Sequence, residues 1–169
     1  SRATDLEMLR SGVSISTVET GSNTQGVPNM AVFSEMAVDT ATVSTEEMCD
    51  RLKAAVDARH DAKFVIMART DAFAREGREA VLERTAAYVE AGADMIFAEA
   101  LYTLEDYAAF TRAIRVPVLA NLTEFGLTPY FTISELARAG IKMILYPLTA
   151  FRAMSRAAEL VYAALREHG

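Results

Sequence analysis

Polar side chains that could bind an organic acid stand directly after several apolar stretches of this sequence. In the clearest case, residues 64–71 (FVIMARTD), the chain is apolar up to Ala68 and continues with Arg69, Thr70 and Asp71. Comparable positions after other apolar stretches hold Glu19, Glu99, Asn121, Thr123, Glu124, Tyr146 and Pro147, with Arg152 just beyond. Parallel strands carry their working residues at the edge where their carboxyl ends meet, so these side chains are the candidates for a functional site.

The residue types at these positions are suited to carboxylate recognition. A planar guanidinium binds a carboxylate through two parallel hydrogen bonds, and Asn and Thr add neutral donors. A buried glutamate can act as an acid or base, or can hold an arginine or a substrate hydroxyl. Arg69, Asn121, Thr123 and Arg152 together therefore predict a receptor for a small acid with two or three carboxylates.

Purely structural roles are the alternative for the same side chains. Arg69 could pair with Asp71, Glu99 or Glu124 in an ion network, and Asn121 and Thr123 could be turn and cap residues. Asp71 is as well placed to cap the following segment as to contact a ligand. Cys49 lies on a predicted helix beside apolar neighbours, which favours packing over catalysis.

Five apolar stretches are typical of buried parallel strands, which are apolar throughout because both faces of the sheet are covered. The predicted strands are Val13–Glu19, Phe64–Thr70, Met95–Leu101, Pro117–Thr123 and Met143–Leu148. The motif Ala-Gly-x-x-Met-Ile occurs at residues 91–96 and again at 139–144. A glycine just past a helix takes the left-handed conformation cheaply, so each copy predicts a helix that turns directly into a strand.

Helices are predicted between these strands. Ser44 with Glu47, Thr103 with Asp106, and Thr132 with Glu135 have the spacing of helix-capping pairs. Further helices are predicted over residues 79–90 and 151–167 from their apolar period. The segment Thr20–Thr42 is rich in small polar residues and is predicted to be a long loop or a poorly ordered connection.

Composition excludes several classes of protein. The chain has 169 residues and a net charge of −6, with no cluster of basic residues, so nucleic acid and membranes are not expected partners. The single cysteine, Cys49, cannot form a disulfide within the chain, which favours a reducing, cytoplasmic location. No stretch approaches the roughly 20 apolar residues that cross a bilayer.

Four segments carry a specific resemblance to a known family. They are residues 64–77 (FVIMARTDAFAREG), 87–100 (AYVEAGADMIFAEA), 116–129 (VPVLANLTEFGLTP) and 144–159 (ILYPLTAFRAMSRAAE). They resemble the C-terminal part of the 2-methylisocitrate lyases, in the isocitrate lyase and phosphoenolpyruvate mutase superfamily. The resemblance divides one partial barrel domain, residues 1–169, into a divergent segment, 1–42, and a family-like part, 43–169.

The resemblance implies a fold, a reaction and a set of roles. The fold is a (β/α)8 TIM-type barrel, of which this chain would hold about five strands. The reaction is Mg²⁺-assisted cleavage of 2-methylisocitrate to succinate and pyruvate in propionate catabolism, by a homo-oligomer that is a tetramer in the family. Arg69 matches a catalytic arginine that also holds substrate oxygens. The other positions that match the substrate-binding residues of the family are Glu99, Asn121, Leu122, Thr123 and Arg152.

Two parts of the family pattern have no counterpart in this chain. The metal-binding Asp-x-Asp is missing, and the catalytic Cys-Gly-His loop is absent from the interval where it should fall, residues 20–42. No metal ligand is therefore assigned. Three alternatives stay open: another reaction of the superfamily, such as oxaloacetate decarboxylation or phosphonate formation; a catalytically incomplete barrel fragment; and an open, doubly wound five-strand sheet.

Overall fold

The structure, a computed structural model, describes residues 16–18, 30–34 and 42–169. Strands and helices alternate through most of this part of the chain. The strands are β1 (Ser16–Val18), β2 (Met30–Ser34), β3 (Val65–Thr70), β4 (Met95–Ala98), β5 (Val118–Asn121) and β6 (Met143–Leu145). The helices are α1 (Thr45–Ala58), α2 (Phe73–Glu90), α3 (Leu104–Ala113), α4 (Ile133–Arg138) and α5 (Thr149–His168).

The six strands form one sheet in which spatial order follows sequence order. β2 to β6 are parallel to one another, and β1 runs antiparallel along the outer side of β2. A doubly wound sheet reverses its strand order at a switch point, whereas a barrel wall adds each new strand beside the previous one. The strand order therefore rejects the doubly wound alternative and is that of a partial (β/α)8 barrel, as predicted.

Two predictions for the N-terminal part were wrong. The segment 20–42 contains β2, whose five residues pair in parallel with β3 from Met30 opposite Val65 to Ser34 opposite Arg69. The polar composition of the whole segment concealed this short apolar run, Met-Ala-Val-Phe. Within the predicted strand at 13–19, the described residues Ser16–Val18 form a strand, but it pairs antiparallel with β2 and not parallel as predicted. Glu19 lies outside the described residues.

The two faces of the sheet pack differently. Side chains on one face, such as Ile66 and Ile96, join the large core beneath the helices. Side chains on the other face form a second buried cluster whose members all come from strands: Met30, Met67, Met95, Phe97 and Leu119, with Val32, Val65 and Met143 beside them. A face that is buried by its own strands, without any described helix, is what the inner wall of a barrel has.

The junctions between helices and strands follow the predicted chemistry. Gly92 and Gly140, the glycines of the two Ala-Gly-x-x-Met-Ile copies, have φ angles of 108° and 89°. The hydroxyls of Ser44, Thr103 and Thr132 each accept a hydrogen bond from a backbone N–H in the first turn of the next helix. These caps fix where each helix begins, and therefore the length of the connection between a strand and the helix that follows it.

No residue of the last helix, α5, is buried. Its exposed apolar side chains are Phe151, Met154, Leu160, Val161, Tyr162 and Leu165. Among the described residues, no helix combines the length and apolarity needed to cross a membrane.

Replacing Gly92 by alanine should destabilise the fold for two separable reasons. The positive φ is unfavourable for alanine, and the new Cβ would lie 2.7 Å from Cγ2 of Val56 on α1. We expect Gly92→Ala to lower the free energy of unfolding by about 1–3 kcal/mol, measured by urea denaturation. In a Val56→Ala background the steric part disappears and the cost should fall. An equal cost in both backgrounds would show that contact with Val56 plays no part.

Candidate functional site

Strand register places three of the predicted site residues on one face of the sheet. Arg69 is opposite Phe97, and Phe97 is opposite Leu119. Side chains alternate between faces along a strand, so Glu99 and Asn121, two residues beyond Phe97 and Leu119, lie on the same side one step closer to the carboxyl edge. This is the face of the strand-only cluster, so the polar residues continue the inner wall where its apolar residues end.

Arg69 is held by two carboxylates and an aromatic ring. Its Nε donates to one carboxylate oxygen of Asp71 at 2.9 Å and its Nη2 donates to the other at 2.7 Å. Nη2 also lies 3.4 Å from Oε2 of Glu99. The guanidinium carbon stands 4.7 Å from the ring centroid of Phe97. The bidentate pair fixes the plane of the guanidinium, and the ring of Phe97 stabilises it through a cation–π contact.

A short relay of hydrogen bonds extends from Glu99 across the edge. Asn121 donates from Nδ2 to the carboxylate of Glu99 at 3.2 Å, and Thr123 donates from Oγ1 to Oδ1 of Asn121 at 3.1 Å. Leu122, between them, points away and is 1 % exposed. Four of the six predicted substrate-binding residues therefore form one continuous polar array, and Leu122 supports it from the helix-side core.

Arg152 belongs to a neighbouring cluster. Its Nη1 donates to the carboxylate of Glu124 at 2.8 Å and to the backbone oxygen of the same residue at 2.7 Å. The guanidinium carbon lies 5.1 Å from the ring of Phe125, a non-glycine residue with a φ of 64°. Thr149, at the start of α5, donates to the other oxygen of Glu124. The loop after β5 is thereby attached to α5, next to the Arg69 array along the chain.

Electrostatics differ between the two clusters. In the second, the hydrogen bond from Thr149, followed by backbone hydrogen bonding and the positive charge of Arg152, lowers the pKa of Glu124. Beside the first, burial and the charge of Glu99 raise the pKa of Tyr107 to about 12. Tyr107 therefore stays neutral at ordinary pH and adds no negative charge near the array.

Part of this arrangement was not predicted. The pairing of Arg69 with Asp71 was one of the structural alternatives for these residues, and the structure shows it as a bidentate pair. Phe97 was not identified, although it stands two residues before Glu99 on a strand adjacent to Arg69, and strand alternation alone could have placed it. Glu124 was considered as a partner of Arg69, but it pairs with Arg152 because the loop after β5 turns toward α5.

Cys49 packs against the helix-side core, and burial raises the pKa of its thiol. Both observations oppose a thiolate at neutral pH and agree with a packing role. Within residues 16–18, 30–34 and 42–169, no three acidic, histidine or cysteine side chains come close enough together to hold a metal ion. The described residues therefore do not fit the Mg²⁺ that the resemblance implies.

Comparison with solved structures places the fold among lyases and mutases. The chain superposes on 2,3-dimethylmalate lyase, a member of the phosphoenolpyruvate mutase and isocitrate lyase superfamily, with a TM-score of 0.77 and 27% identity. That alignment covers 83% of this chain and 49% of the other. Oxaloacetate acetylhydrolase in complex with oxalate gives a TM-score of 0.76 at 29% identity, covering 83% of this chain and 50% of the other.

Sequence comparison finds nearer relatives. The 2-methylisocitrate lyase of Salmonella typhimurium is 62% identical over 129 residues, which are 76% of this chain and 44% of that protein. The enzyme of the same name from Bacillus subtilis is 43% identical over 127 residues, covering 75% of this chain and 42% of the relative. The chain thus spans less than half the length of the curated relatives it matches.

The sequence profile described as phosphoenolpyruvate phosphomutase matches residues 11–166, nearly the whole chain. Strand order, the polar array at the carboxyl edge and this match agree: the chain belongs to the phosphoenolpyruvate phosphomutase family.

Proposed function

We propose that this chain forms the carboxylate-binding part of a carbon–carbon lyase of the 2-methylisocitrate lyase type. The observation that carries the proposal is the polar array at the carboxyl edge, in which Arg69, Glu99, Asn121 and Thr123 are linked one to the next. Two comparisons support it. The relatives of 43–62% identity described above are 2-methylisocitrate lyases, and a structural neighbour binds oxalate, a small dicarboxylate.

The roles of the side chains follow from their chemistry. Arg69 binds a carboxylate or alkoxide oxygen of the substrate through the guanidinium that Asp71 orients. The contact with Glu99, at 3.4 Å, is longer than a good hydrogen bond and is the one that a ligand oxygen would replace. Asn121 and Thr123 donate hydrogen bonds to a second carboxylate of the substrate, and the backbone of Leu122 holds Asn121 and Thr123 in place. Arg152 binds a further carboxylate, which replaces the carboxylate of Glu124.

The reaction that these roles serve is a retro-aldol cleavage. A base takes the hydroxyl proton of 2-methylisocitrate, and the alkoxide becomes the carbonyl of pyruvate as the adjacent carbon–carbon bond breaks. The bonding electrons pass to the carbon that becomes part of succinate, and an acid protonates that carbon. Arg69 would stabilise the alkoxide, because a fixed positive charge at a developing negative oxygen needs no reorganisation. No described residue is assigned as the base or the acid.

Charge balance limits what the described residues achieve alone. Arg69 and Arg152 face Asp71, Glu99 and Glu124, which gives a net charge of −1 for the two clusters. A dianionic or trianionic acid therefore needs more positive charge than these residues supply. The Mg²⁺ that the resemblance implies has no ligand set among the described residues, so the steps above use protein side chains only.

Several finer statements are proposals at the same level. We propose a cytoplasmic location from the single cysteine, a role in propionate catabolism from the relatives, and a homo-oligomer because the resemblance implies one. Division of the domain into residues 1–42 and 43–169 is also proposed. Oxaloacetate decarboxylation and phosphonate formation remain alternative reactions, and no observation favours them over the methylisocitrate type.

Binding of succinate tests the array directly. We expect the chain to bind succinate with a dissociation constant on the order of millimolar, because an unassisted site of this charge is weak. Arg69→Lys should weaken binding about tenfold, because lysine cannot make the bidentate contact. The measurement is chemical-shift titration, with propionate as the monocarboxylate comparison.

Arg59→Lys is the matched control, because Arg59 pairs with Asp94 at the opposite edge of the sheet. The proposal fails if succinate produces no saturable shifts, or if both lysine variants weaken binding equally.

Turnover is a separate test. We expect the 169-residue chain to release no pyruvate from 2-methylisocitrate at any Mg²⁺ concentration, because it lacks the Asp-x-Asp and Cys-Gly-His motifs of the family. A coupled assay for pyruvate measures this, with an intact bacterial 2-methylisocitrate lyase as the positive control. Measurable turnover would show that other residues of this chain supply both functions.

The hydrogen bond from Thr149 to Glu124, together with the charge of Arg152, should make stability depend on acid pH. The folded state lowers the pKa of Glu124, so its contribution to stability is complete above the ordinary glutamate value and is lost as pH falls through the lowered value. We expect the Tm of the unmodified chain to fall more steeply than that of Glu124→Gln below about pH 4.5. Glu159→Gln, which changes an exposed pair on α5, is the control. Parallel Tm curves for Glu124→Gln and the unmodified chain would contradict the assignment.

A further inference from the structure

Arg84 is a buried cation on α2 that no role in ligand binding explains. It is 8 % exposed, and its guanidinium donates hydrogen bonds to Glu76, Val43 and Tyr88. Nε and Nη2 donate to the two carboxylate oxygens of Glu76 at 3.1 and 2.7 Å. Nη1 donates to the backbone oxygen of Val43 at 2.9 Å and to the hydroxyl of Tyr88 at 3.0 Å. A buried charge is costly unless it is paired. Such a full set of partners therefore indicates that Arg84 has a specific role in this structure.

The pair between Arg84 and Glu76 spans a break in α2. Gly77 has φ 82° and ψ 178°, so the regular helix is interrupted there. Before the break, residues 72–76 form a single turn in which the N–H groups of Arg75 and Glu76 donate to the oxygen of Ala72. The backbone of Gly77 departs from helical geometry, and the ion pair between Glu76 and Arg84 joins the turn before it to the long part of α2.

The turn carries the partner of Arg69. Asp71 immediately precedes Ala72, whose N–H donates to the hydroxyl of Thr70 at the end of β3. The position of Asp71 is thus defined by β3 on one side and by the turn on the other. Displacement of the turn would move Asp71 and, with it, the plane of the guanidinium that it holds in two hydrogen bonds.

The same guanidinium also holds the connection that enters α1. Val43, whose oxygen Arg84 binds, directly precedes the cap residue Ser44. Thr42 adds a hydrogen bond from its hydroxyl to Glu76 at 3.4 Å. One buried side chain therefore joins two connections that follow β2 and β3, the strands on which Ser34 and Arg69 are paired.

We propose that Arg84 is a positioning residue for the carboxylate site: through Glu76 and the turn 72–76 it fixes Asp71, and through Asp71 it orients Arg69. The proposal rests on the proposed function for its biological meaning, because it treats Arg69 as the carboxylate-binding group. Arg84 itself touches no ligand in this arrangement, because its buried guanidinium is hydrogen-bonded to Glu76, Val43 and Tyr88.

The test reads the state of Arg69 without any ligand. In a chain labelled with ¹⁵N-arginine, the Nε–Hε signal of Arg69 is identified by its loss in Arg69→Lys. We expect Arg84→Met to increase solvent exchange of that proton at least tenfold, because Asp71 no longer holds a fixed place. Glu76→Gln keeps the size of the side chain but removes its charge, and it should cause a smaller increase in the same direction.

Arg59→Met is the matched control. Arg59, which is half-buried, resembles Arg84 in having a carboxylate partner, Asp94, and a backbone oxygen partner, Phe64, but it lies at the amino ends of the strands. We expect it to lower Tm while the Arg69 signal stays unchanged. If Arg84→Met does not fold, Glu76→Gln decides the question by the same signal.

The outcomes separate this proposal from the proposed function. An unchanged Arg69 signal in Glu76→Gln and Arg84→Met, or an equal change in Arg59→Met, overturns the positioning role. Absence of succinate binding by the unmodified chain overturns the carboxylate site but leaves the Arg69 signal as a valid readout. With both upheld, Arg84→Met should weaken succinate binding by about the same factor as it perturbs Arg69 exchange, whereas Arg59→Met should not.

Discussion

The bidentate pair between Arg69 and Asp71 is the interaction on which the carboxyl edge of this sheet depends. The side chain of Arg69 is 31 % exposed, so its guanidinium loses part of its hydration and gains from a charged partner in a fixed place. Asp71 supplies both oxygens, Phe97 lies under the plane, and Glu99 approaches from the next strand. The structural and functional explanations of Arg69 thus describe the same geometry, because a guanidinium locked in one plane is also one prepared for a carboxylate.

This arrangement is possible because the sheet is parallel and sequential. Each strand–helix unit adds one strand end to the same edge, and the alternation of side chains decides which residue at that end faces the inner wall. Register aligns Arg69 with Phe97 and Phe97 with Leu119, so Glu99 and Asn121 follow on the inner face at the next step. The glycines after α2 and α4 keep each unit short, since their positive φ angles let the chain leave a helix and enter a strand almost at once.

Two features of the array indicate how it would respond to a ligand. Every described arginine at the edge already has a carboxylate partner, so binding exchanges one anion for another. The contact most open to exchange is the long one between Arg69 and Glu99. The pair between Arg69 and Asp71 is short and bidentate, and the turn held by Arg84 supports it, which suits a permanent scaffold.

The sequence by itself determined the local elements and the identity of the polar residues. Cap pairs at Ser44, Thr103 and Thr132, the repeated Ala-Gly junctions and the apolar runs are local signals, and they predicted the four strands from β3 to β6 to within three residues at each end. They also predicted the five helices, but α2 begins at Phe73, six residues before the predicted start at residue 79. The carboxyl-edge rule then selected Arg69, Glu99, Asn121 and Thr123, because it needs only the strand ends.

Tertiary structure alone decided the pairing. β2 is a short apolar run inside a polar segment, and all five of its residues pair in register with β3. The antiparallel direction of β1 along β2 is likewise visible only in the structure. Arg69 pairs with Asp71 and not with Glu124. Glu124 pairs with Arg152 instead, because the loop after β5 folds toward α5. Arg84 gave no functional signal in sequence, since its partners Glu76 and Val43 lie 8 and 41 residues away and only the folded chain brings them together. Local sequence determines where helices, strands and turns form. Which of several possible ionic partners a side chain pairs with depends on which of them folding brings within reach.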